Sequence, residues 1–233
     1  MPPKNTATLT TEDKTLEGIL TRRHSTRAFL PDSLPEDRIT RLFELAQRTA
    51  SWCNVQPWQV LVTSGEGTAR LARGLSEFAG SHTPAPDFGM PSSYQGEYAA
   101  RRRESGYALY ESVGIDRGDR EARAAQAALN FSFFGAPHVA IITTDRELGN
   151  YGAIDCGGYL STLLITAESL GIAAIPQAAL AMHPDFIREH FSLGQDRQVV
   201  AGMSFGLENT EHPINGFRLG RAPAEQVVTW IRS

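Results

Sequence analysis

Arg23-His24-Ser25-Thr26-Arg27 sets two guanidinium groups, an imidazole and two hydroxyls within five consecutive residues. A guanidinium is a rigid fork of donors that fits a phosphate or the edge of a planar carbonyl system, and serine and threonine add hydroxyl donors. Taken alone, the stretch suits either an anionic, heteroatom-rich ligand or a solvated charge cluster. Other chemistries find less support. The six histidines, His24, His82, His138, His183, His190 and His212, show no metal-ligand spacing, and no metal is expected. Cys53 and Cys156 form neither a metal motif nor a disulfide framework, and Cys53 reads as a small filler rather than a nucleophile. No Gly-x-Ser-x-Gly elbow and no Walker motif is present. Gly157-Gly158 lacks the Gly-x-Gly-x-x-Gly context and reads as close packing against a neighbouring helix.

Several elements must position these residues. Leu16, Ile19 and Leu20 predict a helix from about Glu12 to Arg23, directly before the arginine-rich stretch, while residues 1–11 read as a mobile or partner-draped arm. Ser33-Leu-Pro-Glu36 reads as a capping box opening a helix to about Thr49. Trp58 to Thr63 predicts a strand and Gly67 to Phe78 a helix. Residues 81–96, with Pro84, Pro86 and Pro91, read as a long loop of the kind that often forms a lid or binding segment. Helices are predicted over Ala99 to Val113 and Arg120 to Phe134. The run Arg101-Arg102-Arg103 on the first sweeps around the helix and reads mostly as solvated surface. His138 to Thr144 predicts a buried strand. Asp155 is expected to cap a long, buried, central helix ending at Gly171. Pro184 to Phe191 reads as a short helix and Val199 to Phe205 as a strand. The alternation indicates an α+β fold, a single domain over 1–233 with one mixed β-sheet flanked by helices and a helical insertion near 80–120.

Composition narrows the class. With 233 residues, 41% hydrophobic and 21% charged, the chain is an ordinary globular protein able to bury one sizeable core. A net charge of −4 offers no global basic field for nucleic acid. No apolar stretch approaches the roughly 20 residues of a membrane helix. The polar Met1 to Thr11 is not a signal-peptide pattern, so a cytoplasmic protein with reduced thiols is expected.

Four blocks, in order along the chain, carry a resemblance. They are Arg23 to Phe29, Ser51-Trp-Cys-Asn-Val-Gln-Pro-Trp58, Asp155 to Gly171 with Ile172 to Ala179, and Gly202 to Gly206 with Pro213 and Arg218 to Pro223. The chain is similar in these blocks to the FMN-dependent nitroreductase family. The resemblance implies the nitroreductase-like fold, with FMN bound at a homodimer interface. It also implies cofactor-binding roles for Arg23, His24, Ser25 and Arg27, with Arg27 at the family's Lys/Arg position near the flavin ring. Asn54 and Gln56 would reach the flavin from the partner subunit, while Pro57 and Trp58 would be structural. The loop Pro176-Gln177-Ala178-Ala179 would lie against one face of the ring and offer backbone N–H groups. Many relatives carry an acid and a glycine where Ala178 and Ala179 stand, so a carboxylate role is in doubt here while backbone contacts survive. Arg218 and Arg221 would supply the family's basic C-terminal segment, with Arg221 the better match.

The activity so implied is an FMN oxidoreductase. NADH or NADPH would donate a hydride, and a nitroaromatic or quinone-type acceptor would follow over the same ring face in a ping-pong sequence. No side chain is expected to be catalytic, since the flavin carries the chemistry. Trp52, Phe88, Tyr94 and Tyr98 are the expected walls for a small aromatic acceptor. A reductive dehalogenase-like or flavin-cleaving enzyme on the same scaffold, and a non-catalytic FMN-binding protein, are the rival readings.

Overall fold

The computed structural model describes residues 11–232. The arm expected over residues 1–11 lies, apart from Thr11, outside them. α1 (Thr11–Arg22) is followed by α2 (Glu36–Ala46), β1 (Gln59–Ser64), α3 (Glu66–Ser81), α4 (Gly96–Ser112) and α5 (Arg120–Ala128). Then come β2 (His138–Asp145), α6 (Gly149–Ser169), β3 (Ala173–Gln177), α7 (Pro184–His190) and β4 (Arg197–Gly206). No described helix is long and apolar enough to cross a membrane.

The strands form one sheet in the order β1-β2-β4-β3. All three pairings are antiparallel, so among the described residues the sheet is not mixed as expected. β2 is buried on both faces because its side chains alternate between two cores. Ala140 and Ile142 pack with Leu42, Tyr159 and Leu163 of α2 and α6. Val139 and Ile141 pack with Leu71 and Leu75 of α3 and Ile187 of α7. The result is three layers, with β3 at one edge of the sheet.

Three boundaries differ from expectation. α2 starts after Pro35, and no side chain caps it. Leu34 is buried and its N–H donates to His138 Nε2 (2.9 Å), which fixes the chain's entry and leaves Ser33 outside the cap. α5 stops at Ala128 because Phe133 and Phe134 turn left-handed (φ 61° and 55°) to bury their rings. α6 begins at Gly149 (φ 53°), so Asp155 lies within the helix, and Gly171 (φ 66°) follows its end as expected. α6 is buried on one face only: Tyr151 and Ile154 are exposed. Close packing on α6 falls at Gly152, where an added Cβ would meet Thr144 Oγ1 at 2.7 Å, whereas at Gly157 it would meet nothing.

Candidate functional site

α1 delivers its last turn into the arginine-rich stretch, where the Arg23 N–H still donates to Ile19 O (3.0 Å). The chain then runs extended along the free side of the edge strand β3. The Thr26 N–H donates to Ala174 O (3.2 Å), and Leu30 N–H to Leu207 O (2.9 Å), beyond the end of β4. Thr26 and Phe29 face inward, while Arg23, His24, Ser25 and Arg27 stay half-buried at the surface.

Arg27 carries the clearest electrostatic signal. Its guanidinium makes one hydrogen bond, to Ser25 O (3.2 Å), and lies 5.8 Å from the centre of the Phe217 ring. Burial lowers its pKa from the ordinary arginine value. No carboxylate pairs with it among the described residues, so its burial is offset only by that carbonyl and ring, a state an anionic ligand would relieve.

Asn215, which the sequence reading passed over, ties this stretch to the C-terminal segment. Its Oδ1 accepts from the Arg27 N–H (2.7 Å), and its Nδ2 donates to Ala28 O (2.8 Å) and Asn209 O (3.0 Å). Arg218 donates to the Asn215 carbonyl (2.6 Å), which brings Arg27 and Arg218 to one corner. The only local signal was a polar residue beside Pro213-Ile214 in an otherwise turn-rich tail. Arg221 goes elsewhere: it bonds its own neighbours' carbonyls and lines a depression with Arg101, Glu104 and Val227.

Arg23 opens onto a depression of about 200 Å³ that also includes Glu168 and Glu208. Both carboxylates are already engaged, Glu168 by Arg22 (3.1 Å) and Glu208 by His24 Nε2 (2.8 Å). His24 Nδ1 also meets Arg22 O (3.1 Å), so this ring serves the local structure.

At the end of β3, Gln177 is buried and its amide is fully committed. Nε2 donates to Asn130 O (3.0 Å) and Oδ1 (3.2 Å), and Oε1 accepts from Ser204. Its side chain is therefore unavailable to a ligand. Ala178 and Ala179 open a short 3-10 turn, whose leading N–H groups have no partner within the turn.

Asn54 and Gln56 are exposed in a different place. Their loop rides on α6, with the Trp52 N–H donating to Asp155 Oδ2 (3.1 Å) and the Trp52 ring 4.5 Å from that of Tyr151. Cys53, Asn54 and Gln56 all have positive φ, and Cys53 is exposed rather than a buried filler. Trp58 lies in the core as expected, stacked on Tyr159 at 4.7 Å. The expected acceptor walls are not gathered within one chain. Trp52 lines a depression of about 340 Å³ on α6, while Tyr94 lines another of about 370 Å³ beside α4, and Tyr98 is exposed. Phe88 is half-buried next to Asp87.

Asp87, also missed in the sequence, pins the long loop. Its carboxylate accepts from Arg188 (2.8 and 3.0 Å) and from the Val199 N–H (2.9 Å), with both side chains almost fully buried. Burial alone would lower the Arg188 pKa, but the hydrogen bonds to Asp185 and Asp87 raise it. Burial drives the Cys156 thiol up to about 11 and the Tyr159 phenol up to about 12, so neither is an acid or base near neutral pH.

The family model for the nitroreductase family matches residues 20–207. The chain belongs to the nitroreductase family. It is 33% identical over 217 residues to nitroreductase NfnB of Mycolicibacterium smegmatis, covering 93% of this chain and 92% of that one. It is 31% identical to a 4-nitrobenzoate reductase of Pseudomonas putida, covering 93% and 95%. Among solved structures, the FMN-dependent nitroreductase NfnB from Mycobacterium smegmatis in complex with NADPH superposes with a TM-score of 0.89 at 32% identity, over 94% of this chain and 99% of that one. The matched stretch contains Arg23 to Arg27 and the β3 turn, and Arg218 follows it in the chain.

Proposed function

We propose that this protein is an FMN-dependent oxidoreductase that uses NADH or NADPH to reduce nitroaromatic or quinone-type acceptors. The observation that carries the reading is the corner at Asn215, where the desolvated Arg27 and the C-terminal Arg218 converge beside the edge of β3. Relatives named as nitroreductases and 4-nitrobenzoate reductases, and the FMN-dependent NfnB structure, point the same way.

The residues fit FMN. Arg23, Ser25, Arg27 and Arg218 offer charge-assisted and hydroxyl donors for the phosphate and the polar edge of the ring. The N–H groups at Ala178 and Ala179 offer backbone donors where a side-chain acid is missing. When bound, FMN would supply the two-electron chemistry between the nicotinamide donor and the acceptor. The protein's part is orientation and charge. Thr26 and Asn215 hold the arginine-rich stretch in register, and the buried Gln177-Asn130-Ser204 network fixes the end of β3.

The reading includes a homodimer. One chain leaves Asn54 and Gln56 apart from Arg27, and it exposes Trp52, Val55, Tyr151 and Ile154 on one side of α6, a surface suited to a second copy. The unpaired Cys53 and Cys156 suit a reducing compartment, which supports a cytoplasmic setting.

The test is an anaerobic visible spectrum of the purified protein before and after NADH or NADPH. The expected result is a flavin spectrum that bleaches and returns on adding a nitroaromatic. A colourless protein that also fails to take up added FMN would overturn the reading.

A further inference from the structure

The run Arg101-Arg102-Arg103 is exposed, as expected, but its members differ in their partners. Arg101 has acidic residues at helical spacing, Glu97 and Glu104, and pairs with Glu97 (3.5 Å) while also donating to Gln226 (3.4 Å). Arg102 and Arg103 have none. The positions three and four residues away hold Tyr98, Ala99, Ser105 and Gly106 for Arg102, and Ala99, Ala100, Gly106 and Tyr107 for Arg103. No ion pair reaches either among the described residues. The nearby Glu104 lines the opposite depression, with Arg101 and Arg221.

Both unpaired arginines instead line one open depression of about 370 Å³, bordered by Ser92, Ser93 and Tyr94 of the long loop. Arg102 lies 5.3 Å over the Tyr94 ring. The depression therefore joins two uncompensated guanidiniums, two hydroxyl donors and an aromatic platform. Guanidinium forks and hydroxyls match an oxyanion, and the ring and guanidinium planes match a flat group attached to it.

We propose that this depression is an oxyanion subsite for a reactant of the enzyme. The inference rests on the oxidoreductase reading for which reactants it names. Two of them carry a terminal oxyanion close to a flat ring: NADPH, whose 2′-phosphate sits on the ribose that bears adenine, and an acidic nitroaromatic through its ring carboxylate. The subsite accounts for why an otherwise polar, weakly packed helix keeps two adjacent arginines free of carboxylates.

The experiment compares the wild type with R102Q/R103Q as purified. Calorimetry uses adenosine 2′,5′-bisphosphate against 5′-AMP, and 4-nitrobenzoate against nitrobenzene. Kinetics give the kcat/KM ratios for NADPH over NADH and for 4-nitrobenzoate over nitrobenzene. A phosphate subsite predicts that the bisphosphate binds at least about ten-fold less tightly to the variant and that the NADPH preference falls by a similar factor. A carboxylate subsite predicts the same losses for 4-nitrobenzoate instead. If the variant matches the wild type in every pair of probes, the proposal is overturned. If the wild type oxidises neither NADH nor NADPH with any acceptor, the oxidoreductase reading fails, and calorimetry still decides the subsite.

Discussion

Arg27 illustrates what a single residue contributes here. Its type and its place between Ser25 and Phe29 were legible, but its burial beside the Phe217 ring and the bond from its backbone N–H to Asn215 arise only from tertiary packing. Arg27→Gln keeps donor capacity and removes charge, so FMN should dissociate at least about ten-fold more readily, matching the roughly 1.5–3 kcal/mol of a hydrogen bond to a charged group. A fluorescence titration of released flavin measures this, and unchanged affinity would remove Arg27 from the phosphate or ring contacts. Asn215 was not legible, because its partners Arg27 and Ala28 lie far away in sequence. Three histidines are expected to contribute to the acid response. Burial lowers the pKa of His138, His183 and His190 from 6.5. Below that value the unfolded chain takes up protons that the folded one resists, so stability present above pH 6.5 is lost as pH falls toward the folded values. Thermal midpoints should therefore drop between pH 7 and 5.5. His138→Gln, which keeps an acceptor for the Leu34 N–H, should flatten that slope even if its midpoint at pH 7 is lower. An identical slope in the variant would show that His138 contributes nothing to it.

At the scale of elements, the apolar periodicity of α2 and α6 and the runs of β2 and β4 were readable because side chains repeat every 3.6 or 2 residues wherever one face meets the core. Element ends were less readable. The Ser33 cap was decided by the distant His138 on Leu34, the end of α5 by the burial of Phe133 and Phe134, and the start of α6 by the left-handed Gly149. The long loop is the clearest case. Its prolines and small polar residues suggested a lid, yet Asp87 anchors its middle to α7 and β4. Residues 89–95 beyond the anchor are exposed. Asp87→Ala removes one of the two carboxylates on the buried Arg188, which keeps Asp185, and leaves the Val199 N–H without its acceptor, so it should cost about 1–3 kcal/mol in urea unfolding. It should also speed proteolysis within 82–95. A variant as stable and as resistant as the wild type would show that the clamp does not hold the loop.

For the whole molecule, the proposed homodimer has a candidate face on α6. α6 is the longest helix among the described elements, yet it leaves Tyr151 and Ile154 in solvent beside Trp52 and Val55. Ile154→Asp places a charge on that face without touching the core. Sedimentation should then shift from dimer to monomer, with loss of bound flavin, and a variant that stays dimeric would move the interface elsewhere. The sequence by itself determined the class of fold, the order of most elements and the membership of the nitroreductase family, because core periodicity and short motifs are local properties of the chain. Only the tertiary structure decided the antiparallel sheet, the meeting of Arg27 with Arg218 at Asn215, the separation of Asn54 from that corner and the Asp87 clamp. These depend on hydrogen bonds and burial between residues distant in sequence, where no local pattern records which donor meets which acceptor.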